Sequence, residues 1–427
     1  MDIKKGESIV FSASTSEIKS STLKKLIEKE IPVRAVTPDD QYHYFFGYFD
    51  KFQFDPSDKL LLGNRIDFAA RQPRFGEKNT VGVIDPEKAS FEPLAETLAW
   101  NWQQGSMLQW FSQNEIIYND VEDGQYVARI LNINNGKKRT LCRPIYCLTN
   151  DRKYAISVNF ARLGRERPGY GYDGLEDPTI DYAHPENDGV FIVDIEKNTA
   201  ELVISLDQIV KAYPRDSMWN TPSWFNHLLF SPSGKRFAFF HRWRTWNNNV
   251  RRHITHMFTA NIDGSDIYPL NLEDMSSHYA WINEKEIINY SNRFKRVKGN
   301  RTDQRNWQYY RYLDQTDKVE VVAENMFPGD GHCIASPNEQ WMVTDSYPYG
   351  AADSSRRLFL YNFATQQGYH IGTFWADPVY PIPTRCDLHS RWSHDGKRLT
   401  FDSIHEKDAD GHGRRRIYLA DVSEIVD

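Results

Sequence analysis

The sequence predicts an all-β fold, a seven-bladed β-propeller preceded by a short N-terminal helical extension. Three observations predict it. A unit of apolar residue, short polar turn and second apolar run recurs seven times along the chain. A weaker series of runs follows the same units as third strands would. Helical periodicity is scarce after the first thirty residues.

Taken in order, residues 1–40 form the extension, whose apolar spacing from Thr15 to Glu30 predicts one helix, and residues 41–427 form the propeller. The seven units centre on Pro56, Gln113, Asn150, Pro232, Asn283, Pro337 and His394. Spacings of roughly 50 to 60 residues match a four-stranded blade with generous loops. The longer gap between Asn150 and Pro232 contains "ARLGRERPGYGYDGLEDPTIDYAHPEN" (161–187), a Gly-, Pro- and Tyr-rich insertion without strand alternation. "VGVIDPE", "GVFIVDIEK", "MFTANIDGSD", "LFLYNFAT" and "IYLADVSE" are the third strands, and the chain ends on the last of them. Closure by strands from both termini follows. Two stacked β-sandwiches are the alternative, but no linker or composition shift divides the chain.

Composition narrows the function classes. Lys and Arg number 52 against 58 Asp and Glu, a net charge of -6 without a basic run, which argues against a nucleic-acid or anionic-membrane partner. Four cysteines, Cys142, Cys147, Cys333 and Cys386, are too few for a disulfide scaffold and favour a reducing compartment. The first residues lead into no apolar signal segment, and no stretch approaches the ~20 apolar residues of a membrane span. The expectation is a soluble cytoplasmic protein. Aromatic residues make up 14%, many beside Arg, Asn or Gln, as in "AWNWQQGSMLQW" and "HRWRTWNNN". Such pairs suit sugar faces, although packing between sheets accounts for most of them.

The chemistry lies in the register of the repeats. Five residues before the turn position, units four to seven carry His227, His278, His332 and His389, while units one to three carry Lys51, Leu108 and Ile145. With 13 His in 427 residues, four at one register arise by chance on the order of once in a thousand. First strands line a propeller's channel, so equivalent registers form a ring about its axis. Second strands return to the same mouth, which predicts His241 near His227, and Arg65, Asn159, Arg293, Tyr347 and His405 at that level, with the 161–187 insertion as a lid.

Crowded imidazoles resist joint protonation, and neutral imidazole is the commonest metal ligand. The prediction is a divalent metal site of His278, His332 and His389, with Cys386 as fourth ligand. A His₃Cys set suits Zn²⁺, and a more oxygen-rich one Mn²⁺ or Ca²⁺. The competing expectation is a histidine layer hydrogen-bonded to backbone and water. No nucleophile elbow, phosphate loop or dinucleotide fingerprint competes. "HITHM" (253–257) has metal-like spacing only on a helix, so in a strand it reads as solvated surface.

His241 after "SPSG", His278 within "SSHYAW" and His389 within "RCDLHSRWSHDG" together resemble the oligogalacturonate lyases and, more distantly, the propeller-type ulvan lyases. In the former a metal is held by a His like His278 and by a Gln-x-x-His-x-His segment. The matching residues here are Cys386, His389 and Arg391, which implies a different metal or a substitute ligand such as His332. The resemblance implies β-elimination at a 4-linked uronate within an acidic oligosaccharide. That reaction needs a cation at the carboxylate and a base near C5. Arg242 or Arg244 is expected at the carboxylate, His241 or His227 as base, and Tyr347 as acid to the leaving oxygen. Arg65, Arg244, Trp243, Tyr170 and Tyr172 are expected to bind sugar. The rival functions are a non-catalytic glycan- or protein-binding propeller and a metal-dependent hydrolase or epimerase. Hydrolysis needs a carboxylate pair, and Asp67, Asp120 and Asp345 do not stand out in register.

Overall fold

The computed structural model describes residues 24–247, 250–297, 300–348, 354–382 and 384–427. Seven antiparallel sheets account for the seven sequence units. Blade 1 runs through His43–Phe45, Leu61–Ile66, Asn79–Asp85 and Ser90–Thr97, and blade 2 through Gln109–Ser112, Glu115–Glu122, Gln125–Asn132 and Lys138–Leu141. Blade 3 comprises Cys147–Leu148, Tyr154–Ser157, Gly189–Asp194 and Thr199–Ser205. Blade 4 comprises Ser223–Phe230, Arg236–Asn247, Val250–Asn261 and Tyr268–Asn271. Blade 5 comprises Ser276–Trp281, Glu286–Val297, Asn300–Leu313 and Val319–Val322. Blade 6 holds Ile334–Ala335, Trp341–Asp345, Ser355–Asn362 and Gly368–Trp375. Blade 7 holds Arg391–Trp392, Arg398–Ser403 and Arg416–Asp421. Each predicted turn joins the first and second strands of its blade, and first strands of blades 3 to 6 approach one another along the axis.

Blade 7 lacks a fourth strand from its own end of the chain. Val33–Ala35 supplies it, pairing antiparallel with Tyr418–Ala420. An open outer edge would leave a row of unpaired backbone groups, so this pairing closes the ring through both termini. Most of the helix expected over Thr15–Glu30 lies outside the described residues. Its described end is extended: Ile27–Glu28 adds a parallel fifth strand to blade 6, opposite Tyr369 and His370. The segment before residue 40 is therefore built into two sheets.

Apolar faces of adjacent blades make the core. One cluster joins blades 3 and 4 through Ile192, Ile204, Phe225, Phe239 and Phe258, and another joins blades 4 and 5 through Phe240, Met257, Tyr279 and Trp281. This fixes which way each side chain of a strand points, because successive residues face opposite neighbours.

The 161–187 insertion leaves after the second strand of blade 3 and packs down over the channel mouth. It opens with a helix, Phe160–Glu166, capped by Asn159, whose Oδ1 accepts from Arg162 N at 3.0 Å. Tyr172 stacks on Phe160 at 4.5 Å, which is sterically allowed because a Cβ on Gly171 would stand 2.0 Å from Gly164 N. Buried Arg162 donates to the carbonyls of Tyr182, Ala183 and Ser223. These bonds make a fixed cover.

Candidate metal centre

Bulges aim the histidines. In blade 4 the pairing register shifts between Asn226 and Leu229, and His227 within the shift has φ 50°. Blade 5 shifts between Ser276 and Tyr279, around Ser277 and His278. In blade 7, His389 has φ 47° just before its strand. A left-handed backbone is uncommon for a residue with a Cβ, and an inserted residue turns a side chain out of the strand's alternation. Here it turns imidazoles toward the axis.

The ring of histidines forms, but it is not hollow. His278 and His332 lie 4.0 Å apart between centroids, and His332 and His389 4.3 Å apart. Tyr48 and Phe49, from the loop after the first strand of blade 1, stand among them; Tyr48 is 5.0 Å from His389 and 5.2 Å from His227. Phe49 is 5.2 Å from His332. Gly47 lets this loop enter: it has φ 130°, and a Cβ there would lie 2.7 Å from the Gln104 carbonyl carbon. His227 stacks on Tyr279 at 4.2 Å.

Three imidazoles share one hydrogen-bond pattern. His278 Nδ1 meets Asp330 Oδ1 at 3.0 Å, His332 Nδ1 meets Asp345 Oδ1 at 2.8 Å, and His389 Nδ1 meets the Gly47 carbonyl at 2.7 Å. A carboxylate or carbonyl only accepts, so in each neutral ring the proton sits on Nδ1 and Nε2 carries the lone pair. Asp345 also accepts from the backbone N–H of both His332 and His389, at 2.8 and 3.1 Å. Second-layer carboxylates of this kind orient metal-binding histidines.

The Nε2 atoms of His332 and His389 are buried without a hydrogen-bond partner. Ligating atoms of His332, Asp387 and His389 all lie within 4.8 Å of one another. Burial alone would push the Asp387 carboxyl up, but Arg385 and Arg356, donating at 2.7 and 3.2 Å, hold it well below its ordinary range. Two orphaned imidazole nitrogens beside an ionised carboxylate fit a divalent transition metal, and His278 adjoins them through its ring, 4.0 Å from that of His332. The nitrogen-rich set fits Zn²⁺ or Mn²⁺ and does not fit Ca²⁺, which takes six to eight oxygens.

Cys386 does not belong to this set. Its side chain is buried among Ala376, Tyr380 and Ile404, and burial pushes the thiol up to about 12. The next residue, Asp387, takes the inward position. Residues two apart share a face of an extended segment, so Asp387 and not Cys386 accompanies His389 inward.

Burial lowers the affinity of His227, His278 and His389 for protons, reinforced by the other rings of the cluster. Their unfolded counterparts titrate near 6.5, so above that pH neither state is charged, and below it the unfolded chain binds protons that the folded ring refuses. The metal-free protein is therefore expected to lose stability as pH falls below about 6.5, read as a drop in urea midpoint between pH 7.5 and 5.5. Replacing His227 by Phe shrinks that drop.

Among the other predicted site residues, Tyr347 lies 5.7 Å from His332 between centroids, and its hydroxyl accepts from Arg385 Nη2 at 3.3 Å. Arg242 is buried beside the ring, donating to Thr255 Oγ1 at 2.9 Å and the Ser276 carbonyl at 3.3 Å. Arg244 donates to Glu166 Oε2 at 3.1 Å and binds the insertion helix to blade 4. Tyr170 meets Tyr48 edge-on at 6.2 Å, with Arg167 over its ring at 4.8 Å.

Five more expectations are corrected. His241 is not with His227: Phe240 and Arg242 face blade 5, so His241 and Trp243 face blade 3, and His241 lies opposite His256 with both ring nitrogens unpartnered. Trp243 is buried, its Nε1 donating to Ser217 Oγ at 3.0 Å, and is no sugar platform. Tyr172 is buried in the insertion's own core, its hydroxyl accepting from Asn119 Nδ2 at 2.9 Å. Arg65 lies over Tyr42 and Phe91, at 4.5 and 5.2 Å, toward the outer strands of blade 1. "HITHM" is not a solvated surface either, since His256 is buried and His253 half-buried.

Asp387, Asp330, Asp345, Arg385, Tyr48 and Phe49 escaped the register count. Asp345 carried a signal, ending the second strand of the blade that bears His332.

Among the described residues no helix is long and apolar enough to cross a membrane. No family model and no curated protein matches the chain. Among solved structures, it is similar to an oligogalacturonate lyase in complex with manganese, with TM-score 0.61 and 15% identity, over 94% of this chain and 96% of that one. It also aligns with a puromycin-hydrolysing peptidase from Mycobacterium tuberculosis, TM-score 0.48 and 10% identity over 88% and 53% of the two chains. TolB from Acinetobacter baumannii aligns at TM-score 0.37 and 14% identity, over 82% and 78%. The expected likeness to ulvan lyases finds no support among these structures. At 15% identity the first alignment establishes the propeller fold alone.

Proposed function

We propose that the chain is a metal-assisted lyase that cleaves short uronate-containing oligosaccharides by β-elimination. The observation that carries this reading is the pair His332 and His389, each anchored through Nδ1 and grouped with the ionised Asp387, with His278 anchored the same way beside His332. His332, His389 and Asp387 would hold a divalent ion, which when bound would supply positive charge to a uronate carboxylate.

The chain's own residues supply the rest. Arg242 and Arg167, on blade 4 and the insertion, orient the substrate carboxylate and neutralise its charge. Tyr347 keeps its proton, because burial pushes the phenol well above its ordinary value, and gives it to the leaving oxygen. Arg385 holds the Tyr347 hydroxyl and Asp387 at once. Tyr170 is buried against Tyr48 and packs the cover onto the ring. His227 sits behind Tyr48 and Phe49, so it supports the ring and takes no proton. A hydrolytic reading loses ground on the carboxylates: Asp330, Asp345 and Asp387 are each bound to His or Arg and leave no acid–base pair. A cytoplasmic setting limits the substrates to imported oligosaccharides.

The test is to incubate metal-loaded protein with uronate di- to tetrasaccharides and follow ultraviolet absorbance and reducing ends together. Elimination raises both. New reducing ends without absorbance mean hydrolysis, and neither signal means a binding protein; either result refutes the proposal.

A further inference from the structure

The long hairpin of blade 4 presents histidines on opposite faces. His241 and His256 face blade 3 and are closed off from the mouth. On the other face Arg242 lies opposite Thr255 and is bonded to it at 2.9 Å, and Arg244 lies opposite His253. Residues two apart on a strand share a face, so Arg242, Arg244, Thr255 and His253 form one surface on the side of the hairpin away from His241 and His256. Arg167 of the insertion approaches the same surface, and Glu166 beside it is taken by Arg244.

We propose that His253 is the base that removes the C5 proton of the bound uronate, an inference that rests on the lyase reading above. Of the three arginines that act on His253, Arg242 and Arg167 are the groups to which a uronate carboxylate would bind, while Arg244 holds Glu166; C5 is the carbon that carries this carboxylate. A base for this proton must therefore stand beside the carboxylate's own cations, where His253 stands and His241 does not. Burial and the charges of Arg167, Arg242 and Arg244 keep the imidazole neutral well below pH 6.5 in the empty protein. When the substrate carboxylate enters, it cancels part of that positive field, and the imidazole gains proton affinity at the moment it needs it.

The step balances. The C5–H pair forms the C4=C5 double bond, the C4–O bond breaks, the C5 proton goes to His253, and the departing oxygen takes the proton of Tyr347. The protonated imidazole and the tyrosinate then exchange their proton through solvent to restore both groups.

The experiment compares the parent with His253→Gln and His253→Ala on a uronate trisaccharide across pH. The account expects a fall in kcat of about 100-fold or more, little change in KM, loss of the acid limb of kcat/KM, and partial recovery of the Ala variant by added imidazole. Variants that stay folded by thermal melt and keep kcat within tenfold of the parent overturn the assignment. A parent that forms no unsaturated product refutes the lyase reading itself, so the two failures are distinct.

Discussion

Asp387→Asn is expected to lose its metal, while Cys386→Ala keeps it. The two residues are adjacent, and the sequence alone favoured the thiol. In the structure Asp387 is an ionised carboxylate grouped with ring nitrogens of His332 and His389, and Cys386 is a protonated thiol in an apolar pocket. An amide in place of the carboxylate removes the anionic ligand and leaves Arg385 and Arg356 uncompensated beside the site. Replacing even an outer partner of a metal ligand costs about 10- to 100-fold in affinity, so the direct ligand should cost at least the upper figure, with activity falling in step. Cys386→Ala removes only a buried sulfur. Metal content by elemental analysis, with unfolding curves alongside, separates the outcomes; equal metal in both variants would remove Asp387 from the site.

The second large effect is structural. Arg391 and Asp402 form a fully buried ion pair at 2.6 Å, and Asp402 also accepts from Phe46 N at 3.2 Å. Arg391 lies over the Phe46 ring and donates to the Gly47 carbonyl at 3.4 Å, the same carbonyl that orients His389. Asp402→Ala leaves a guanidinium without its counter-charge in the core, a loss of about 3–5 kcal/mol. It also releases the loop that carries Tyr48 and Phe49 into the ring, so metal affinity should fall with stability. Replacing both partners by Leu restores much of the stability, because the unpaired charge is gone. Urea unfolding of the two variants checks this, and an Asp402→Ala protein as stable as the parent would show that the pair holds nothing. Arg391 matches the position of the second histidine in the lyase segment, and here it acts through Gly47.

How much of this was legible in the sequence depends on backbone regularity. The blades were legible because every unit spells its first turn with the same apolar, polar, apolar pattern. The histidine register was legible because bulges recur at one level in successive blades. Which side chain joins His389 was not, because Cys386 stood at the motif position three residues before it, whereas residues two apart share a face and bring Asp387 inward. On the regular second strand of blade 4, alternation alone separates His241 from Arg242, and it was the inter-blade packing of Phe240 that fixed the direction. Ile27–Glu28 follows the same logic, since a helical spacing yields to pairing with a sheet edge that only the folded ring provides. Aromatic residues beside polar ones read as sugar platforms, yet Trp243 and Tyr172 spend their polar atoms on Ser217 and Asn119 inside the protein.

Anomalous diffraction from crystals grown with Mn²⁺, recorded on both sides of the manganese edge, tests the central claim most directly. The account predicts one strong peak per chain between the Nε2 atoms of His332 and His389 and the Asp387 carboxylate, absent in Asp387→Asn. Crystals in which Tyr48 and Phe49 fill the space and no peak lies among those three side chains would contradict it.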